Sequence, residues 1–262
     1  MQMDEPGLIE DSAKEIFDAE WTCSPVEPLA VRHPSLTPAD AYAIQEAYAA
    51  LRRRAGARLV GRKIGCTSKA VQELFGIDTP DYGQIFDDMV VEDGGSVAVA
   101  DLIQPMVEPE LAFLLAGDLR GPGVIGSAVL EATASVAPCL EVIDSRILGW
   151  QVGFVDTVAD NGSSSRCVLG EARRVPELDL AAVEVEMSRD GEVVTRGRGD
   201  AALGHPADSV AWLANALAEF GHGLEAGDYV LSGSLTTAIR VQPGNRFAAS
   251  FTGLGDVSIH FT

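Results

Sequence analysis

Glu108-Pro109-Glu110 runs straight into the apolar segment Leu111-Ala112-Phe113-Leu114-Leu115-Ala116, and this junction sets the character of the fold. In a strand, residues two apart point to the same face, so Glu108 and Glu110 aim their carboxylates at one spot. Pro109 suits an edge, a bulge or a strand start. Two parallel carboxylates beside an apolar core repel each other and resist desolvation. A hard divalent cation with oxygen ligands, Mg²⁺ or Mn²⁺, compensates both costs. The plain alternative is a solvated strand start carrying two surface glutamates.

Working outward, 262 residues with 47% hydrophobic content give an ordered globular chain with a sizeable core. No apolar run reaches the roughly 20 residues that span a bilayer. The start, Met1-Gln2-Met3-Asp4-Glu5, is acidic where a signal peptide carries positive charge, so a cytoplasmic location is expected. Lys and Arg number 19 against 39 Asp and Glu, a net charge of −20. That balance argues against nucleic acid or an anionic membrane as the main partner. An anionic substrate then needs a local positive centre, a metal or a buried lysine. Cys23, Cys66, Cys139 and Cys167 form no C-x-x-C pair and have no neighbouring His that completes a zinc site.

The pattern upstream is helical. Leu8, Ile9, Ala13, Ile16 and Phe17 fall near helical spacing in a segment ending around Trp21. After a proline-bearing connector, Thr37 reads as an N-cap with Pro38 in the first turn, and Ala41, Ile44, Tyr48, Leu51 and Ala55 make one stripe. Arg52, Arg53 and Arg54 read as a solvated helix end. From Leu59 strands and turns take over: Leu59–Cys66 with Gly61 and Gly65 inside it, Ile85–Val91, the Glu108 strand, and Cys139–Asp144. A helix capped by Ser127 is expected to stop before Pro138, and 182–194 reads as a hairpin turning at Asp190-Gly191. A helix over about 206–220 precedes a closing meander of four strands between Tyr229 and Phe261. The expectation is an α+β protein: a helical N-terminal region, 1–58, and a β-roll or barrel-like catalytic domain, 59–262, with a mixed or antiparallel sheet.

Two familiar motifs fail on context. Gly121-Pro-Gly123-Val-Ile-Gly126 matches the dinucleotide fingerprint, with Glu141 and Asp144 about 20 residues on. No βαβ series follows it, and Pro122 removes an N–H where the loop should donate one. Ser232-Gly-Ser234 lacks a nucleophile elbow, and the four histidines show no metal spacing. Three features instead reinforce the carboxylate pair. Lys63 lies in a glycine-flanked strand, and beside a metal its pKa would be depressed into the range of neutral proton transfer. Pro80-Asp81-Tyr82-Gly83 reads as a turn presenting an acid and a phenol. Glu141 sits inside the apolar strand Cys139–Asp144, where an unpaired acid is costly, and is the natural third ligand.

Taken together, GRKIGCTS (Gly61–Ser68), PDYG (Pro80–Gly83), EPELAFLLAGDL (Glu108–Leu119), LEVIDSR (Leu140–Arg146), DTVADN (Asp156–Asn161), GHPADSVAWL (Gly204–Leu213) and LSGSL (Leu231–Leu235) resemble the fumarylacetoacetate hydrolase superfamily. The resemblance is to its branch of 2-oxopent-4-enoate (2-hydroxypenta-2,4-dienoate) hydratases of aromatic meta-cleavage catabolism. It implies a β-roll catalytic domain and Mg²⁺ or Mn²⁺ held by Glu108, Glu110 and Glu141. Lys63 falls on the family's active-site lysine, Asp81 becomes a water-activating or orienting group, and Ser163, Ser164 and Ser234 line the substrate pocket. Gly162 and Ser165 depart from the Ala and Cys that many relatives carry there. The implied substrate is a small 2-oxo or 2-hydroxydienoate acid, hydrated to 4-hydroxy-2-oxopentanoate. The resemblance also suggests a homo-oligomer, with pentamers as its building block, and association with a paralogous decarboxylase. Competing readings are the sister 4-oxalocrotonate (2-oxo-3-hexenedioate) decarboxylase, an acylpyruvate-type C–C hydrolase and a non-catalytic ligand-binding module.

Overall fold

The computed structural model describes residues 7–67, 72, 79–174 and 179–262; Met1–Glu5 and Ser68 of the stretches above lie outside them. Three helices come first: α1 (Leu8–Thr22), α2 (Leu29–Arg32) and α3 (Pro38–Arg54). At the start of α3, the Thr37 hydroxyl accepts from the Asp40 N–H (3.3 Å) and the Asp40 carboxylate accepts from the Thr37 N–H (2.8 Å). This reciprocal cap satisfies two donors that the first turn leaves without partners. The buried stripe is Ala41, Ile44, Tyr48 and Ala49, continuing to Arg52 rather than to Ala55. Arg52 corrects the expectation of a solvated helix end. It is buried, its guanidinium pairs with Glu20 of α1 (2.5 Å) and Asp88 (2.6 Å), and it lies over the Phe86 ring. α1 crosses α3 and supplies the acid that a buried guanidinium requires.

The strands follow as β1 (Leu59–Gly65), β2 (Asp81–Phe86), β3 (Val90–Val91), β4 (Ser96–Val97) and β5 (Met106–Leu115). Then come α4 (Gly126–Ala132), β6 (Thr133–Ile143), α5 (Phe154–Ala159), β7 (Ser164–Leu169), β8 (Arg173–Arg174) and the hairpin β9 (Glu184–Arg189) and β10 (Glu192–Arg198). The last elements are α6 (Pro206–Ala218), β11 (Tyr229–Leu231), β12 (Ile239–Arg240), β13 (Arg246–Phe251) and β14 (Gly255–Phe261). The larger sheet runs β2-β1-β11-β5-β6-β7-β3, with β12 beside β5 and β8 beside β6; the smaller runs β10-β9-β13-β14-β4. Parallel and antiparallel pairs mix in both, so the chain is α+β, as its sequence pattern requires. Among the described residues, no helix is long and apolar enough to cross a membrane.

Both faces of the larger sheet are covered. Leu111, Phe113, Leu140 and Val142 pack with Met187, Phe247, Val257 and Phe261 of the smaller sheet and with Val210 and Leu213 of α6. Ala112, Ala137, Cys139 and Leu231 on the opposite face pack with Ile16, Ile44 and Tyr48 of α1 and α3 and with Val158 of α5. At about 25 cal/mol per Å² of apolar surface, these two layers supply the main drive to fold.

Several local expectations are corrected. Asp81–Gly83 are not a turn but the start of β2, with Asp81 paired to Gly65 and Gly83 to Lys63. The helix expected up to Pro138 ends at Ala132, Ser127 lies inside its first turn, and β6 runs through Pro138. The four closing strands divide between the two sheets instead of forming one meander. Pro109 and Pro138 both lie inside interior strands. Pro109 falls where β11 has ended opposite Ala112 and β12 begins opposite Val107. Pro138 falls between the end of β7 opposite Cys139 and β8 opposite Val136. Each missing N–H therefore meets a break between short strands, which is why an interior proline is tolerated.

Candidate active site

Strand parity and register build the site. On β5 the odd residues Val107, Leu111 and Phe113 enter the core between the sheets, so Glu108, Glu110 and Ala112 face the other way. On β6 the residues facing that way are Ala137, Cys139 and Glu141, and the register sets Glu108 opposite Glu141 and Glu110 opposite Cys139. One carboxylate oxygen from each of Glu108, Glu110 and Glu141 lies within 4.8 Å of the others. Beyond Leu231 the chain leaves the sheet, and the Gly233 N–H donates to Glu110 Oε2 at 2.8 Å. Gly233 holds φ +103°, and a Cβ there would lie 2.4 Å from the Thr67 side chain, so only glycine fits.

Lys63 reaches the carboxylates from β1, across β11, with Nζ 3.5 Å from Glu141 Oε2. Two glycines make room for it. A Cβ on Gly65 would sit 2.1 Å from Asp81 Oδ1 and 3.1 Å from Lys63 Nζ, and one on Gly162 would sit 3.3 Å from that same nitrogen. Asp81, buried at the start of β2, accepts a hydrogen bond from the Thr157 hydroxyl at Oδ2 (2.8 Å), while its Oδ1 has no partner. Lys63, Asp81 and Glu108 border a cavity of about 280 Å³ whose remaining wall is largely apolar.

The three serines divide. Ser163 and Ser234 line this cavity, whereas Ser164 is buried with its hydroxyl unpartnered and is not among the residues lining it. The Ser163 hydroxyl donates to Asp160 (2.8 Å), and that of Ser234 donates to the Thr236 carbonyl (2.7 Å). Ser163 ends a run of three left-handed residues, Asn161, Gly162 and Ser163, with φ of 57°, 59° and 55°. Such conformations cost on the order of 1–3 kcal/mol for each non-glycine residue and persist where surrounding structure over-determines them. Here the Asn161 amide pairs with both the N–H (2.7 Å) and the C=O (2.9 Å) of Gln84. The buried Arg146 guanidinium meets Asp160 (2.6 Å) and donates to the carbonyls of Asp144 (2.8 Å) and Ser164 (3.0 Å).

Electrostatics mark the cluster as strained without a cation. Burial, then repulsion from Glu141, pushes the Glu108 carboxyl up to about 7 against the pull of Lys63. Burial and the other two glutamates hold Glu110 well above the usual carboxylate range, and burial raises Glu141 despite Lys63. The depression expected for Lys63 beside a metal belongs to the loaded site, and the metal-free carboxylates act in the opposite sense on Lys63. Burial alone would lower its pKa, but Glu141, Asp81, Glu108 and Glu110 together raise it. Glu110 Oε1 and both Glu141 carboxylate oxygens are buried without a hydrogen-bond partner. Buried acceptors left unpaired are destabilising. Orphaned hard oxygens on Glu110 and Glu141, converging with the Glu108 carboxylate, make the donor set a small divalent cation takes, so the residues fit such an ion.

Sequence reasoning missed Thr157 as the partner of Asp81, Gly233 as the donor to Glu110, and the Arg146–Asp160 pair beneath the serine loop. The last left only a weak signal: Arg146 is the one basic residue in the LEVIDSR and DTVADN stretches, which also hold several acids. The glycine-rich stretch 121–126 is not part of the site. It docks on α6, where the Asn215 side chain bonds the N–H and C=O of Val124, both at 2.9 Å.

Comparison with known proteins places this geometry. The family model for the fumarylacetoacetate (FAA) hydrolase C-terminal domain matches residues 42–262. The chain is 44% identical over 99% of its length to the whole of a 2-hydroxyhexa-2,4-dienoate hydratase from Comamonas testosteroni. It is 46% identical over 90% of its length to 91% of 2-keto-4-pentenoate hydratase 2 from Dechloromonas aromatica. The solved structure of 4-oxalocrotonate decarboxylase from Pseudomonas putida G7, complexed with magnesium and adipate, superposes with a TM-score of 0.97 at 37% identity, covering 100% of both chains. Family model, full-length identity and fold agree: this chain belongs to the fumarylacetoacetate hydrolase family, within the branch that holds the 2-keto-4-pentenoate hydratases and the 4-oxalocrotonate decarboxylases.

Proposed function

We propose that the protein is a divalent-metal-dependent hydro-lyase that adds water to 2-hydroxypenta-2,4-dienoate, or a short 5-substituted homologue, to give the 4-hydroxy-2-oxo acid. The observation that carries this reading is the convergence of half-buried Glu108 with the buried, partly orphaned Glu110 and Glu141 beside a small cavity lined by Lys63 and by Asp81 with its free Oδ1. Full-length identity to hydratases supports it. Glu108, Glu110 and Glu141 would hold the cation, Mg²⁺ or Mn²⁺. When bound, that ion supplies Lewis-acid stabilisation of negative charge developing on the substrate's 2-oxygen.

The chain's own residues supply the proton chemistry. The reaction first moves a proton from the 2-hydroxyl to C5, giving an α,β-unsaturated 2-oxo acid; water then adds across that double bond, hydroxyl to C4 and proton to C3. Lys63 Nζ, against Glu141 and within the wall of the cavity, is the acid/base group for the proton transfers. Asp81 is the group that orients or activates the water. Thr157 ties down its Oδ2, leaving Oδ1 as the acceptor beside Lys63. The left-handed Asn161–Ser163 turn presses Gly162 against Lys63 and holds the amine in place.

A second reading, decarboxylation of a 2-oxo-hexenedioate, is favoured by the close superposition on a decarboxylase. Against it, Lys63 is the one cationic residue lining the cavity among the described residues, so a second carboxylate would meet apolar side chains and hydroxyls such as Thr236 and Thr237 but no second cation. Freshly prepared 2-hydroxypenta-2,4-dienoate, followed by loss of its dienol ultraviolet band with Mg²⁺, with Mn²⁺ and with chelator, tests the proposal. Metal-dependent loss of the band with formation of 4-hydroxy-2-oxopentanoate is expected. Release of CO₂ from oxalocrotonate with no hydration of the dienoate overturns the hydratase reading.

A further inference from the structure

Trp150 stands apart from the catalytic machinery, yet the structure fixes it with unusual care. Gly149 and Trp150 are both left-handed (φ 65° and 58°), a conformation a bulky residue adopts only under constraint. The constraint is Gln104. Its side-chain oxygen accepts from the Gly149 N–H (3.1 Å), its amide donates to the carbonyls of Ser145 (2.9 Å) and Ile147 (2.5 Å), and its backbone carbonyl accepts from the Trp150 indole N–H (3.0 Å). Backbone outliers held this way point to a functional demand.

The demand is visible in the cavities. Met106, Trp150 and Val152 line the catalytic cavity of about 280 Å³ and also a separate outer groove of about 660 Å³. The groove is lined besides by Pro28, Ala30, the exposed Val31, Asp156 and Arg240. These three shared residues are therefore a partition, with the indole its largest part. The catalytic cavity is polar at the Lys63, Asp81 and Glu108 end and apolar at the partition. A 2-hydroxydienoate bound with its carboxylate and 2-oxygen toward the glutamates would extend C5 and its substituent toward the apolar wall that includes Trp150.

We infer that Trp150, backed by Met106 and Val152, is the specificity wall for the C5 substituent. It restricts the enzyme to short unbranched tails and closes off an outer groove that would accept a longer apolar tail. The inference rests on the hydratase reading above. One methylene too many in a shaped apolar pocket changes kcat/KM by about 10–200-fold.

The test compares kcat/KM for 2-hydroxypenta-2,4-dienoate and its 5-butyl homologue, with Mg²⁺, in wild type, Trp150→Ala, Trp150→Phe and Val152→Ala. The ratio of long to short substrate is expected to rise at least about 10-fold in Trp150→Ala, less in Val152→Ala, and little in Trp150→Phe. An equal change for both substrates, or a wild type that already uses the butyl homologue as well as the short acid, overturns the inference. If Trp150→Ala loses turnover, calorimetric affinities for 2-oxononanoate and 2-oxopentanoate decide: a rise in their ratio supports the wall, a constant ratio overturns it. A wild type that hydrates neither dienoate strikes the hydratase reading itself, whereas hydration with an unmoved ratio strikes only the wall.

Discussion

Replacing Glu108 by Gln should stabilise the metal-free protein and at the same time abolish its response to metal. The side chain keeps its shape, but one of three clustered carboxylates loses its charge. In the folded, metal-free protein, burial and Glu141 raise the Glu108 carboxyl from 4.5 to about 7. At about 1.4 kcal/mol per pH unit, that rise corresponds to roughly 3 kcal/mol. A carboxyl whose folded pKa is raised binds its proton more tightly in the native state, so stability falls as pH rises. The penalty is absent below about 4.5, grows between 4.5 and about 7, and is constant above. In chelator Glu108 should therefore cost wild type up to about 3 kcal/mol across that window, on top of what the raised Glu110 and Glu141 carboxyls cost both proteins, and Glu108→Gln should lack that share. Near pH 8 the variant should melt higher by roughly 6–12 °C, at about 2–4 °C per kcal/mol for a chain of this size. Saturating Mg²⁺ closes most of that gap. At 100 times its Kd a ligand adds about 2.7 kcal/mol to the form that binds it, and the variant should forgo most of that. Thermal unfolding at pH 5 and pH 8, with chelator and with Mg²⁺, reads all four cases. A variant no more stable than wild type at pH 8 in chelator would refute the charge-crowding argument. Equal stabilisation of both proteins by Mg²⁺ would refute Glu108 as a ligand.

Three further outcomes are expected. Lys63→Met should retain metal-induced stabilisation but lose about 10²–10⁴-fold in turnover, the range of a missing general acid/base; near-wild-type kcat with metal bound would remove Lys63 from the mechanism. Gly65→Ala should lower kcat more than stability, because its Cβ would land 2.1 Å from Asp81 Oδ1 and crowd Lys63 Nζ; an unchanged kcat would mean that neither group needs its present position. Arg146→Met should cost about 3–5 kcal/mol in chemical denaturation by leaving the buried Asp160 without its partner, and adding Asp160→Asn should recover much of the loss; no recovery would show that the pair does not anchor the Asn161–Ser163 turn.

Much of the site was legible in the letters because strand parity is local. Glu108 and Glu110 had to share a face, and a carboxylate inside Cys139–Asp144 had to find a partner. Helix entry at Thr37 and the turn at Asp190-Gly191 were likewise set by side chains within a few residues of each other. Errors arose where a distant partner overrode a local preference. The PDYG stretch became a strand because β1 lies alongside it, and Arg52 was buried because α1 brings Glu20 to it. Pro109 and Pro138 sit in strand interiors because breaks in neighbouring strands fall at their missing N–H groups.

What the sequence alone determined is therefore the chemistry available: two parallel glutamates, a third acid in an apolar strand, a glycine-flanked lysine and a net charge of −20. Tertiary structure decided which of these groups meet. The antiparallel register of β5 and β6 sets Glu108 opposite Glu141, 33 residues on in the chain, and a one-residue slip would turn Glu141 into the other core. Insertion of β11 between β1 and β5 sets how far Lys63 must reach, and its early end opens the gap that the site occupies. The wall at Trp150 depends on Gln104, a polar residue with nothing in its neighbourhood to announce the role. Side-chain parity is written in consecutive residues; register and partition depend on pairings that exist only once the sheets have formed.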